Sequence, residues 1–398
     1  MRIAYLCTTF PKLSERFFLR EVQALRAQGL DFDVYSMIGG VDVPEAGQVR
    51  HFRGWDGVVL TREFLYWLWR KPGAIFSLMQ ELNPFRYRSL INYGENALGL
   101  AFALRFARAF AGHYTSVHGT WATAPGAGAL GLQALVGLEF TLEAHAYDIY
   151  RNGGDARLIR KLRAARSIRC STESAAAEIR RRLAATGSSG PSVICIRRGL
   201  SDIPGHRSWS RKSDARWQLL SVGRLIEKKG YDRQLSVFRE LKAQGLDFQA
   251  TIIGGGPLES KLRAQVEALG LRDQIHLAGK MDHAAVDAAY RAADLFIFYG
   301  RISGSGDRDG FPNVLAEAMG LSLPVFSTDV AGTTEVIRDG ETGFLLGGAD
   351  PAQDAAKIIA CLADEACLSW VTSRAHDWLK KNFSVDANAR QLSVLLRK

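Results

Sequence analysis

Two carboxylates near the C-terminal end stand out by type and spacing. Asp309 lies on a Gly/Pro loop, and Glu317 follows eight positions later in Asp309-Gly310-Phe311-Pro312-Asn313-Val314-Leu315-Ala316-Glu317. Between them the loop is expected to turn into a helix. A helix N-terminus offers unpaired backbone N–H groups and a positive dipole end, and both attract phosphate. Two acids flanking such an anion cradle suit a ligand with hydroxyls at each end and a diphosphate in the middle. A nucleotide sugar has that shape.

Fixed cations should accompany it. Arg224 and Lys229 follow the apolar run Leu219–Val222, and Gly223 lets the chain turn at the strand end. Two cations at that mouth could neutralise a departing diphosphate, the work Mg²⁺ does elsewhere. His145 follows the strand-like Phe140-Thr141-Leu142, where an imidazole can hydrogen-bond a sugar hydroxyl. His118, in Val117-His118-Gly119, has a similar setting. Gly254-Gly255-Gly256 follows another apolar run, but Glu259 stands where a dinucleotide fingerprint needs a third small residue. These glycines read instead as a turn that permits close backbone approach. Asp307-Arg308-Asp309 spells D-x-D, a metal–diphosphate motif, yet such a triplet arises by chance in a chain of this composition. No P-loop, nucleophile elbow, zinc spacing or HExxH is present, and no metal is expected.

These residues need a scaffold that presents strand ends. Ile3–Cys7 reads as a buried strand. A helix opens at Ser14-Glu15 with Phe17, Phe18, Val22 and Leu25 at helical spacing, and Phe32–Tyr35 starts the next strand. The second half repeats the plan, with strands over Leu219–Val222 and Phe248–Ile253 around a helix over Tyr231–Gln244. The words repeat as well: Ala27-Gln28-Gly29-Leu30-Asp31-Phe32 recurs as Ala243-Gln244-Gly245-Leu246-Asp247-Phe248. Further strands are expected at Ile275–Leu277, Leu295–Phe298, Pro324–Ser327 and Gly343–Leu346. Alternation of this kind predicts α/β architecture: two doubly wound, mostly parallel domains with a seam between Arg198 and Ala215.

Composition narrows the class. The chain has 398 residues, 47% hydrophobic and 23% charged, which predicts globular domains. The excess positive charge is confined to one half. Residues 1–200 carry 26 Lys and Arg against 16 Asp and Glu, whereas 201–398 carry 25 of each. An anionic partner for the first half is expected: a lipid surface, a lipid-linked diphosphate or a nucleic acid. The segment Glu63–Lys71, with Phe85–Arg88 and Arg105–Arg108, mixes aromatics with bases and suits a membrane interface. Core-facing helices would account for those aromatics equally well. Five cysteines without a CxxC pair, and an N-terminal run too short for a signal peptide, point to a reducing cytoplasm, with the inner membrane face as a place of attachment.

At these residues the sequence resembles glycosyltransferase family 4, retaining transferases of the GT-B fold in which two Rossmann-like domains face each other across a cleft. The motifs are Gly223-Arg224 with Lys229-Gly230, Ile253 to Leu258, Asp309 to Met319, and Ala331 to Glu335 with Gly340 to Phe344. The opening Phe10 to Phe17 and the step His145-Ala146-Tyr147-Asp148 resemble members that build capsular or exopolysaccharide chains. The resemblance implies an acceptor domain over 1–200, a donor domain over 201–375, and a C-terminal helix over 376–398 that crosses back to the first. It implies that Arg224 and Lys229 hold the donor diphosphate and that Glu317 binds the ribose. Gly223, Gly254, Gly255 and the loop Gly310, Phe311, Pro312, Asn313, Val314 would line the donor, with Glu335 in the nearby wall. Asp309 and His145 would meet the transferred sugar, while Ser14, Glu15 and His118 would lie on the acceptor side. The family pattern has Glu where this chain has Asp309, and His where it has Thr120.

The expected function is therefore a metal-independent retaining glycosyltransferase that needs no cofactor. It would move a sugar from a nucleoside diphosphate donor to a saccharide hydroxyl, with a lipid-linked saccharide as the preferred acceptor and no nucleic acid involved. Two alternatives stay open at this point. One is a nucleotide-sugar epimerase on the same fold. The other is a catalytically silent sugar-nucleotide-binding partner.

Overall fold

The computed structural model describes residues 2–12, 15–52, 57–187, 190–200, 203–211, 216–330 and 332–397. The chain divides into two compact units, Met1–Gly199 with Val385–Lys398, and Leu200–Ser384.

In the first unit, strands and helices run β1 (Ile3–Cys7), α1 (Arg16–Ala27), β2 (Phe32–Ser36), β3 (Val49–His51), α2 (Gly57–Arg70), α3 (Pro72–Glu81), α4 (Leu90–Phe110), β4 (Ser116–Gly119), α5 (Ala124–Val136), β5 (Glu139–Glu143), α6 (Ala146–Tyr150), α7 (Leu158–Ala164), β6 (Ser167–Cys170), α8 (Glu173–Ala184) and β7 (Ser192–Cys195). The strands form one sheet in the order β3-β2-β1-β4-β5-β6-β7. Every pairing is parallel. A parallel sheet is covered on both faces, so its strands are apolar throughout rather than alternating. β1 is buried along its whole length. Its residues still divide by period two: Ile3, Tyr5 and Cys7 join the core under α1, while Ala4 and Leu6 join the core under α4 and α5.

The second unit continues with β8 (Trp217–Val222), α9 (Tyr231–Ala243), β9 (Phe248–Ile253), α10 (Glu259–Ala268), β10 (Ile275–Gly279), α11 (His283–Ala292), β11 (Leu295–Phe298), α12 (Asn313–Gly320), β12 (Val325–Thr328), β13 (Phe344–Leu346), α13 (Pro351–Leu362) and α14 (Glu365–Asn382). Its sheet order is β10-β9-β8-β11-β12-β13, again all parallel. Leu219, Leu295 and Ile297 face the α9 side, and Leu220, Phe296 and Phe298 face the α12 side. In both sheets the strand order reverses direction beside the first strand, between β1 and β4 and between β8 and β11. The crevice beyond the carboxyl ends at such a switch point is where these sheets receive ligands.

The repeated hexapeptide is a repeated turn. Gly29 N–H donates to Arg26 O and Leu30 N–H to Leu25 O; Gly245 N–H donates to Lys242 O and Leu246 N–H to Leu241 O. Each copy closes the first helix of its unit and feeds the second strand.

The C-terminal segment departs from the single helix expected over 376–398. α14 ends at Asn382, and Leu200 N–H donates to Phe383 O where the chain turns. A separate helix, α15 (Val385–Arg397), then packs on α1 within the first unit. Its Leu392, Leu395 and Leu396 are buried against Val22 and Leu25, each contributing about 1.5–3 kcal/mol. Burial of that stripe, more than helix propensity, places α15. Among the described residues, no helix is long and apolar enough to cross a membrane.

Candidate functional site

In the second unit the loops after β8 and β11 meet at the switch point. They are locked by backbone contacts. Gly230 has φ +65°, and a Cβ there would lie 1.8 Å from Tyr299 O. A Cβ on Gly254 would lie 1.9 Å from Gly223 O. Gly223 N–H donates to Ile253 O, and Leu225 N–H donates to Gly255 O. The close approach expected at Gly254 and Gly255 is thus an approach of the protein's own loops to each other. It sets the path of the segment that carries Arg224, Lys228 and Lys229.

That path brings Lys229 onto Asp309. Its ammonium lies 2.8 Å from Asp309 Oδ2, with its tip 5.0 Å from the Phe298 ring centre. Lys228 reaches Asp307 at 3.1 Å and Asp309 at 3.5 Å. The D-x-D acids therefore share an ammonium group. Burial alone would raise the Asp309 carboxyl; Lys229 and Lys228 outweigh it and hold the group below the usual carboxylate range. The Lys229 ammonium at 2.8 Å is the contact that holds the buried Asp309 Oδ2. Arg224 is exposed on the same loop.

After Asp309 the chain runs through Gly310, which accepts a hydrogen bond from Gly332 N–H. Phe311 packs on Phe383, at 5.3 Å between ring centres. Pro312 caps α12 with extended φ and ψ, a conformation its ring favours. Asn313, Val314 and Glu317 lie on the half-exposed face of α12, while Leu315, Ala316, Ala318 and Met319 enter the core. Tyr290 donates its hydroxyl toward Val314 O at 3.3 Å and Glu317 Oε2 at 3.4 Å. Glu335 ends a short 3₁₀ turn, Thr333–Glu335, and is half-buried.

The first unit builds a different cluster. Thr141, Glu143 and His145 alternate along β5 and its end. Glu143 is fully buried and takes Arg169 at 2.6 Å and Arg198 at 2.7 Å; Arg169 also binds Glu21 at 2.6 Å. Burial would raise the Glu143 carboxyl, but Arg169 and Arg198 hold it well below its ordinary range. His145 Nε2 stands 2.8 Å from Glu143 Oε2, and its Nδ1 stands 3.2 Å from Ser171 Oγ. Nε2 thus faces an acceptor, Glu143, and a donor, Arg198 Nη2 at 3.1 Å, while Nδ1 faces the Ser171 hydroxyl, which can donate or accept. Burial lowers the His145 pKa despite Glu143, with Arg198 adding to the effect, so the ring is neutral at pH 7. Its backbone N–H donates to Asp148 Oδ2 at 2.8 Å, which makes His145-Ala-Tyr-Asp148 the cap of α6.

His118, expected on the acceptor side, lies inside the first unit. It is fully buried, with Nδ1 2.8 Å from Thr141 Oγ1 and Nε2 3.2 Å from Glu143 Oε1. It is held under the sheet beside the Tyr5 ring and supports Glu143. Glu15 pairs with Lys12 at 2.6 Å. Ser14 lies outside the described residues.

Sequence reasoning missed Lys228, Glu143, Arg169, Arg198 and Glu21. Glu143 had a signal, since a residue two positions before a strand-end histidine points to the same side. Arg169 follows from register, because it pairs with Glu143 across β5 and β6. Arg198 and Glu21 arrive from distant segments and carry no local signal.

Residues 203–382 match the family described as glycosyl transferases group 1. Over 185 residues the chain is 36% identical to "Putative colanic acid biosynthesis glycosyltransferase WcaL" of Salmonella typhimurium, covering 45% of each. Over 181 residues it is 33% identical to the amylovoran biosynthesis glycosyltransferase AmsK of Erwinia amylovora, covering 46% of this chain and 44% of that protein. The chain thus matches about half the length of these curated relatives. Across its full length it is similar in structure to Anabaena HepE, solved with UDP, at TM-score 0.71 and 16% identity with complete coverage of both chains. The sucrose-phosphate synthase of Thermosynechococcus elongatus gives TM-score 0.71 and 18% identity, covering 100% of this chain and 98% of that one. At such identity the likeness is one of fold, and the fold is GT-B.

Proposed function

We propose, from the glycosyl transferases group 1 domain at residues 203–382 and the GT-B fold of the chain, that this protein is a retaining, metal-independent glycosyltransferase of exopolysaccharide assembly. The donor is a nucleoside diphosphate sugar. The acceptor is a hydroxyl of a saccharide, lipid-linked and presented at an anionic membrane surface. The observation that carries the reading is the meeting of Lys229, Lys228 and Asp309 at the β8/β11 switch point, beside the α12 N-terminus.

In this reading the diphosphate takes Lys229, Arg224 and the first-turn amides of α12. Asp309, released from its lysine, accepts from sugar hydroxyls, and Glu317 accepts from the ribose. The bond from the anomeric carbon to the phosphate oxygen breaks, and the electron pair leaves with the diphosphate. The acceptor oxygen bonds to that carbon on the same face. Its proton passes to the leaving phosphate oxygen, so no protein nucleophile is consumed. Lys228 and Lys229 support metal independence, because together they bring two positive charges to the two carboxylates Asp307 and Asp309. In this reading a sugar hydroxyl takes the place of the Ser171 hydroxyl at Nδ1 of the neutral His145, whose Nε2 stays with Glu143. The relatives named for colanic acid and amylovoran biosynthesis support the polymer class, and the UDP in HepE supports a nucleotide donor.

The test is thermal unfolding with UDP, GDP, ADP and their sugars, with and without Mg²⁺, followed by transfer to a polyprenyl-diphosphate saccharide. Stabilisation by one diphosphate family is expected through linkage, together with a product of unchanged anomeric configuration. No stabilisation by any of them would overturn the reading. An epimer formed from donor alone would replace it.

A further inference from the structure

Within residues 58–91 of the first unit, large apolar side chains face solvent on consecutive elements. Leu65 and Trp69 lie one turn apart on the outer face of α2, while Trp67 on its inner face is buried. Phe76 and Met79 repeat the arrangement on α3, above buried Ile75 and Leu78. Phe85 sits on the short turn between α3 and α4, and Leu90 opens α4. Trp69 is 81% exposed, Phe76 67%, Phe85 97% and Leu90 88%. The three aromatics together leave on the order of 400–500 Å² of apolar surface in water, within the range of the largest apolar patches on soluble monomers, which are often functional.

Charge identifies the partner. Arg70, Lys71, Arg86 and Arg88 are exposed in the same stretch. Residues 57–94 contain two carboxylates, Glu63 and Glu81, and both are buried. Glu63 is held by Arg108 and by Arg62, and Glu81 by Arg157 and Arg160. No acid in this stretch therefore offsets the outward-facing bases. An outward face of Trp, Phe and Leu among Arg and Lys, without exposed acids, matches an anionic bilayer in both polarity and sign.

We propose that the exposed faces of α2, α3 and the turn through Phe85 form a membrane-docking surface, with apolar side chains entering the headgroup boundary and the four bases meeting anionic lipid. The inference deepens the reading of a lipid-linked acceptor by naming the surface, and it rests on that reading only for the acceptor.

Full-length protein is sedimented with vesicles of phosphatidylcholine, or of phosphatidylcholine mixed with phosphatidylglycerol, without donor or acceptor. Binding to the anionic vesicles is expected, weakening as salt is added. Trp69→Ser with Phe85→Ser should lower the partition coefficient by at least about tenfold, and Arg70→Glu with Lys71→Glu should abolish the preference for anionic lipid. Unchanged thermal unfolding and unchanged nucleoside diphosphate binding would establish that the variants fold. Wild-type protein left in the supernatant with every vesicle overturns the inference, as does binding indifferent to both variants. If the variants convert a dimer to a monomer in light scattering without changing vesicle binding, the face joins two copies of this chain and the inference also fails. None of these readouts requires turnover, so failure here leaves the transferase reading standing, and the reverse holds.

Discussion

The Lys229 ammonium and the Asp309 carboxylate, eighty residues apart in sequence, stand 2.8 Å apart at the carboxyl ends of two neighbouring strands. Each is mostly buried and held by the other's charge. A ligand that claims the lysine must offer it an anion and must give the aspartate a donor in return.

Lys229→Ala should weaken nucleoside diphosphate binding about 10–100-fold, the loss of one charge-assisted contact. Lys229→Arg should recover part of it. Titration calorimetry with the diphosphate that stabilises the wild type measures both, and equal affinity for wild type and Lys229→Ala would remove this lysine from the site.

Asp309 predicts an acid-limb signature. Its folded pKa lies below its unfolded value of about 4. Such a group adds stability that is present above the unfolded pKa and is lost as pH falls through the folded pKa. Urea unfolding of wild type should therefore lose stability below about pH 4 more steeply than that of Asp309→Asn. Parallel profiles would show that the lysines do not hold the carboxylate.

His145 predicts a second window at higher pH. Its folded pKa lies below the ordinary value of about 6.5, so the unfolded chain binds the proton first. Stability should fall as pH drops below about 6.5 and level off beneath the folded pKa. In His145→Gln that slope should disappear, and a slope that survives the substitution assigns it elsewhere.

Glu143→Gln should destabilise the first unit by about 3 kcal/mol, the low end for a broken buried pair, because Arg169 and Arg198 lose one of the two carboxylates they share and keep Glu21. Adding Arg169→Met should return part of the loss. Denaturant titration of the single and double variants measures the coupling, and additive losses would contradict the network.

Gly254→Ala should cost about 2–4 kcal/mol, since the new methyl meets Gly223 O at 1.9 Å in a backbone-on-backbone contact that cannot relax by rotamer change. Thermal unfolding reports the loss. Diphosphate affinity in the surviving fold should fall with it, because this contact sets the path of the Lys229 loop.

Much of the scaffold was legible in residue order. Ile3–Cys7, Phe248–Ile253 and Leu295–Phe298 are strands over the expected residues, and Glu317 lies in the helix expected after Pro312. The reason is local. A buried strand is an apolar run, a helix stops where Gly can take the next turn, and a strand-end loop shows its Gly and Pro. His118 and His145 looked alike by the same local rules, yet one is buried beside the Tyr5 ring and the other caps α6. That difference depends on strand order, which residue types alone do not reveal.

By itself the sequence determined the alternation of strands and helices, the two repeating halves, and which loops carry the acids and bases. Tertiary structure alone decided that Lys228 joins Asp307 to Asp309, that Glu143 gathers Arg169 and Arg198, and that the outward aromatics of α2 and α3 face water and not core. Secondary structure is set by neighbours a few residues apart, and so it can be read along the chain. Charge pairing and exposure are set by whatever the fold brings alongside, across tens to hundreds of residues. Their energies exist only once the sheet has ordered its strands.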